Sequence, residues 1–210
     1  MRKRNEQEYE ERRQQILDGA LQVFADKGFV QATNKDIAEA AGIGSPALLY
    51  HYFKDKEALL RAALEQHAPL LQIVAHPEDF MALPPEKALL QAGRAYLRMM
   101  QNPPMNSVIK LLFGEIIRQP KLANSFIEWG PRRALDFLTR YLQSQMESGV
   151  LRPIDPALAA RIFIGPLVTV KISQILLPQP NALYVDADRL LETHIDVFLR
   201  GLHPENESGS

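Results

Sequence analysis

Cysteine is absent from this 210-residue chain. Disulfides and thiolate metal sites are therefore excluded, and a reducing compartment is the natural setting. Charge of one sign is not in excess: 24 lysines and arginines stand against 25 aspartates and glutamates, a net of −1. That balance argues against coating nucleic acid by bulk positive charge. It leaves room for a small basic reading surface, because phosphate contacts depend on placement and not on the sum. Long apolar runs are also lacking. The stretch from Ile162 to Leu177 is broken by Pro166 and Lys171, short of the roughly 18 uncharged residues a membrane span requires. The opening MRKRNEQEYEERRQQ has no apolar segment of the kind a signal peptide carries, so a cytoplasmic location is expected and no membrane partner. The five histidines, His51, His67, His76, His194 and His203, show no HExxH or other paired ligand spacing. Neither a GxSxG elbow nor a phosphate-cradling glycine loop is present. No catalytic residue, metal or cofactor is expected, and the chain does not read as an enzyme.

What the chain does have is helical periodicity almost throughout, with 46% hydrophobic residues to build a core. Ile16, Leu17, Ala20, Leu21 and Phe24 form one apolar stripe, closed by Gly28 as a C-terminal signal. Thr33 stands where an N-cap belongs, with Asp36 in the turn that follows. Ile37, Ala38 and Ala41 give the next short helix its buried face, and Gly42 stops it. Ser45–Pro46 reads as N-cap and first helical residue of a third helix. The stretch HAPLLQIVAHPEDFMALPPE, punctuated by prolines, is expected to be a loop with a turn of helix at most. Longer helices are expected over residues 86–102, 105–118, 131–148, 155–177 and 187–202, with Pro166 kinking the penultimate one. The predicted class is all-α: an N-terminal three-helix DNA-binding domain over residues 1–56, a helical domain over 57–203, about nine helices, and a disordered tail over 204–210.

On a helical wheel the third helix has two faces. Leu49 and Phe53 stack on one, while Ala47, Tyr50, His51 and Lys54 point to the other. Such a helix can dock through its apolar pair and present small residues, a phenol, an imidazole and an ammonium outward. That arrangement suits the second helix of a helix-turn-helix entering a major groove. Tyr50 and His51 can donate to bases or phosphates, and Lys54 and Lys56 can neutralise phosphates.

The pieces ILDGALQVFADKGFVQAT, KDIAEAAGI, SPALLYHYF and KDKEALL resemble, in that order, the N-terminal domain of the tetracycline-repressor (TetR) family of transcriptional regulators. The resemblance covers about the first sixty residues. It implies a homodimer reading a palindromic double-stranded operator, and a C-terminal domain that releases DNA on binding a small molecule. Carried over, Thr33 and Lys35 would touch phosphate or groove, and Ser45 would cap the recognition helix. Pro46, Ala47 and Leu48 would meet bases, Tyr50 and Tyr52 backbone or base edges, and Lys56 a phosphate. The resemblance also exposes a departure. The family runs from the helix-ending glycine to the first recognition-helix tyrosine in seven steps, whereas Gly42 to Tyr50 takes eight. Ser45 still falls at the N-cap, so the extra residue belongs to the turn. Gly44 is the natural place for it, because glycine tolerates positive φ.

In the C-terminal half, Tyr96, Met100, Phe113, Trp129, Phe137, Tyr141, Phe163 and Leu167 are candidates to line a pocket for an apolar or aromatic inducer. Arg94, Lys110 and Lys171 are expected on solvated faces. The last two helices carry wide apolar faces, and Ile162, Val170, Ile175, Leu191, Ile195 and Phe198 are candidates for a four-helix dimer interface. The function expected is a ligand-responsive repressor. The alternative is a ligand-binding or interaction module with altered or degenerate DNA binding.

Overall fold

A computed structural model describes residues 2–99, 101–118, 128, 130–177 and 185–204. Among these residues there are eleven α-helices and no strand. In chain order they are α1 (Arg2–Gln31), α2 (Asn34–Ala40), α3 (Leu49–Tyr52, preceded by a 3₁₀ turn, Pro46–Leu48) and α4 (Lys56–Gln66). There follow α5 (Pro69–Ala75), α6 (Glu78–Met81), α7 (Pro85–Met99), α8 (Pro103–Arg118), α9 (Pro131–Glu147), α10 (Pro156–Leu176) and α11 (Ala187–Gly201). The long helices begin and end within a few residues of the expected positions. The proline-rich stretch does not stay a loop, since it holds both α5 and α6. Pro69 and Pro85 occupy first helical positions and Pro77 an N-cap, where a missing N–H costs nothing. Leu71 and Phe80 anchor the two short helices in the interior.

The chain divides into two compact units, Met1–Ala68 with Met100–Ser125, and Pro69–Met99 with Phe126–Ser210. The first therefore runs past residue 56 and takes in α4 and α8. Its core is the predicted stripe: Ile16, Leu17 and Ala20 have no exposed surface, and Leu21 and Phe24 almost none. Leu59, Leu60, Ala63 and Leu64 of α4 and Met105, Val108 and Ile109 of α8 are buried too, on helices that both pack against α1. α1 crosses α2 at Gly19, where a Cβ would lie 2.7 Å from the Ala41 nitrogen. The chain breaks helical geometry at Gly28 (φ 76, ψ 166) and then continues for one further turn.

In the second unit two aromatic clusters fill the interior. Phe80 lies 5.0 Å from Phe137 and 5.1 Å from Tyr141 between ring centroids, and the Tyr141 hydroxyl donates to the Leu83 carbonyl at 2.6 Å. Phe163 stacks on His194 at 5.3 Å and meets Phe198 edge-on at 5.4 Å. α10 continues through Pro166. One residue beyond the Ile162 carbonyl that Pro166 leaves without its helical donor, the Phe163 carbonyl accepts a hydrogen bond from His194 Nε2 at 2.8 Å. By length and composition α10 could cross a membrane, despite the Pro166 and Lys171 that seemed to interrupt it.

Candidate nucleic-acid interface

The short helices are fixed by local chemistry. Thr33 and Asp36 form a reciprocal capping box at the start of α2. The Thr33 hydroxyl accepts from the Asp36 N–H at 3.1 Å and donates to the Asp36 carboxylate at 2.8 Å. Lys27 Nζ donates to the other carboxylate oxygen at 2.8 Å. These bonds favour the ionised form: the Lys27 ammonium first, then Thr33, hold the Asp36 carboxyl at about 2, below its ordinary 3.8. α2 ends in a Schellman turn, with Ile43 N–H donating to the Ala38 carbonyl at 2.9 Å and Gly42 N–H to that of Glu39 at 3.1 Å. Gly42 takes the left-handed conformation at φ 64, and Ile43 is buried behind it. Gly44 does not have positive φ, and a Cβ there would meet nothing within 4 Å. The extra turn residue therefore sits at a bend with open space around it, and the left-handed conformation is taken by Gly42.

Ser45 caps the next helix as expected, its hydroxyl accepting from the Ala47 N–H at 3.3 Å. Leu49 and Phe53 are buried, so the helix docks by the predicted face. Ser45, Pro46, Ala47, His51 and Lys54 are exposed and Leu48 is half-buried. Tyr50 is 62% exposed. Lys35 is exposed as well, and neither Lys35 nor Lys54 has an ion-pair partner among the described residues. Small residues, a phenol, an imidazole and Lys54 are thus exposed on the recognition helix, and the two lysines can meet a polyanion without first breaking an ion pair.

Three of the candidates are placed differently. Lys56 turns inward: its ammonium donates to the Ala32 and Val30 carbonyls at 2.9 and 3.3 Å and lies 4.8 Å from the Phe29 ring centre. It satisfies carbonyls left over where α1 ends, and burial lowers its pKa. Tyr52 stacks on Tyr9 of α1 at 4.7 Å. The two rings form one wall of an open cleft of about 500 Å³ also lined by Glu8, Glu11, Arg12 and Gln15. Thr33 spends its hydroxyl on Asp36. Sequence reasoning missed Asn34, whose amide donates to the Tyr50 hydroxyl oxygen at 2.8 Å. Nothing local in the sequence signals a bond across sixteen residues.

In the second unit, Tyr96, Phe137, Tyr141, Phe163 and Leu167 are interior side chains. Burial pushes the Tyr141 hydroxyl up to about 12 and raises that of Tyr96. Met100 and Trp129 lie outside the described residues, and so does the side chain of Phe113. Lys171, expected in solvent, is 7% exposed and donates to Gln174 Oε1 at 2.8 Å. Burial lowers its pKa, and nearby Asp188 opposes the shift. Arg94 and Lys110 are exposed.

Of the six residues expected at a subunit interface, three have their apolar surface covered inside the chain. Leu191, Ile195 and Phe198 are buried within one chain, because the wide apolar face of α11 packs on α7 and α10. Ile162 is 58% exposed and Val170 half-buried, while the Ile175 side chain is outside the described residues. Exposed apolar surface on these helices comes from the expected Ile162 and from two residues outside the expected set, Leu158 (56%) and Val197 (63%). Among the described residues no group of three or more His, Asp or Glu side chains could hold a metal ion.

Two family models match the chain. Residues 16–63 match the family described as bacterial regulatory proteins, tetR family, and residues 87–201 match the AefR-like transcriptional repressor C-terminal domain. The HTH-type transcriptional regulator YvkB of Bacillus subtilis is 28% identical over 89% of this chain and 95% of its own. The Bacillus subtilis regulator FadR, solved with stearoyl-CoA, has a similar fold: TM-score 0.69, 22% identity, 90% of this chain and 99% of that one. The fold of AibR, solved with isovaleryl coenzyme A and operator DNA, is similar at TM-score 0.58 and 21% identity over 90% of this chain and 98% of that one.

Proposed function

This chain belongs to the tetR family of bacterial transcriptional regulators, and on that footing we propose that it is a repressor. In this reading it binds a palindromic operator as a homodimer, in the cytoplasm, and a small apolar or aromatic molecule releases it. The observation that carries the DNA-reading part is the two-faced recognition helix. Leu49 and Phe53 hold it down while Pro46, Ala47, Tyr50, His51 and Lys54 are exposed. That set is poor in paired donors and acceptors, so apolar contacts to thymine methyls and DNA shape supply much of the selectivity. Dimerisation is supported by Leu158, Ile162 and Val197, apolar side chains more than half exposed on the last two helices. The ligand class is supported by the aromatic interior of the second unit and by the acyl thioesters held by the two solved proteins of similar fold.

The test is a gel shift with DNA from upstream of the protein's own gene, at two salt concentrations. Sequence-selective binding that weakens steeply with salt is the expected result. No binding at low salt would favour the alternative, a ligand-binding module with degenerate DNA binding. Long- and short-chain acyl-CoA esters and aromatic acids, added to the shifted complex, then test release.

A further inference from the structure

We propose that Asn34 is a positioning residue for phosphate recognition. It feeds an amide N–H into the Tyr50 phenol oxygen, and so commits the phenol's own proton to a backbone phosphate oxygen of bound DNA. The inference rests on the DNA-reading function proposed above and assigns a mechanism to one part of it.

The geometry is specific. Asn34 Nδ2 donates to Tyr50 Oη at 2.8 Å, tying the first residue of α2 to the exposed face of the recognition helix. Asn34 is half-buried, whereas Tyr50 is 62% exposed. A phenol oxygen that accepts a bond retains its O–H as a donor, and polarisation along the pair strengthens that donation. Among the described residues the Tyr50 proton meets no acceptor, so it is available to a ligand. Phosphate oxygens only accept, which matches a group left mainly with donation; base edges mix donors and acceptors. The neighbouring residue, Lys35, adds an exposed ammonium without an ion-pair partner among the described residues. Thr33 cannot serve in the same way, because its proton already goes to Asp36. An outward phenol proton held by Asn34 is thus a neutral donor for one phosphate.

The bond could instead serve only to tie α2 to the recognition helix. Substitutions separate the two roles. Affinity is measured by fluorescence anisotropy for the full chain, on a duplex that the wild-type protein selects from a randomised library. Tyr50→Phe is expected to weaken binding about tenfold, the loss of one hydrogen bond to a charged acceptor, and Asn34→Ala about threefold. The double variant should bind no more weakly than Tyr50→Phe alone. Neither single variant should change the salt slope, because a neutral donor releases no counterion, whereas Lys35→Ala should lower it by about one. A methylphosphonate scan should find one position per half-site where the neutral linkage weakens the wild type but adds nothing to either variant. Asn34→Asp keeps a tie, with the phenol now donating inward. Its loss of affinity should be larger in the wild-type background than in the Tyr50→Phe background. Thermal melts confirm that each variant is folded.

Asn34→Ala binding like wild type would overturn the inference. So would losses that simply add, a changed salt slope or base preference in Asn34→Ala, or no methylphosphonate position coupled to both residues. Enrichment of no duplex by the wild-type protein would overturn the DNA-reading function itself, and the inference with it.

Discussion

At the scale of single residues, three glycines that look alike in the sequence do different work. Gly19 lets α1 and α2 approach, since a Cβ would press to 2.7 Å of backbone that cannot move aside. Gly42 makes the left-handed bend. Gly44 meets neither constraint. Gly44→Ala should therefore raise stability by about 0.5 kcal/mol by restricting the unfolded chain. Gly19→Ala should lower the melting temperature clearly, and paired calorimetric melts check both. Asp36 gives a second residue-scale test. Its carboxyl is held at about 2, against 3.8 when free, so its contribution is intact above about pH 4 and is lost as pH falls through 2. Asp36→Asn should therefore melt below wild type at pH 7, with the difference shrinking below pH 4 and closing only below pH 2.

At the scale of elements, the recognition helix owes its place to neighbours more than to its own length. It comprises a 3₁₀ turn and four α-helical residues, too short to persist alone. Leu49 and Phe53 beneath it, Tyr52 stacked on Tyr9 and the Asn34–Tyr50 bond fix its position. Lys56 acts at this scale too. Tied to the Val30 carbonyl in the last turn of α1 and to the Ala32 carbonyl just past it, it holds the start of α4 to the end of α1. Lys56→Met should cost about 1 kcal/mol in chemical denaturation, with two acceptors left without their donor. The salt slope of DNA binding should stay unchanged. A fall of about one in that slope would show that the ammonium leaves its carbonyls to hold a phosphate.

At the scale of the whole molecule, the question is what covers the apolar surface of α10 and α11. A second copy of the chain is the occupant required by the palindromic operator proposed above. Ile162→Arg combined with Val197→Glu should give a monomer in light scattering and abolish operator binding. The helical circular dichroism and its cooperative melt should be retained. Phe198→Ala should instead unfold the second unit at lower temperature, since that ring packs inside it against Phe163. A dimer that survives the double substitution would place the interface elsewhere.

The sequence by itself determined the all-α class, the long helices and the register of the recognition helix. Those features rest on local rules: periodicity, caps, and glycine or proline at helix ends, as at Gly42, Ser45 and Pro46. It also separated Leu49 and Phe53 from Tyr50 and His51, because a wheel needs only spacing. Tertiary structure alone decided which polar groups remain free. Thr33, Tyr52 and Lys56 look as available in sequence as Lys35, Tyr50 and Lys54. Their partners Asp36, Tyr9 and the α1 carbonyls lie where folding brings them. The same holds for α11, where periodicity marked Leu191, Ile195 and Phe198 as apolar without saying what covers them. Which neighbour arrives, another helix of the chain or a second chain, is set by packing over long sequence distances, and no local pattern encodes it.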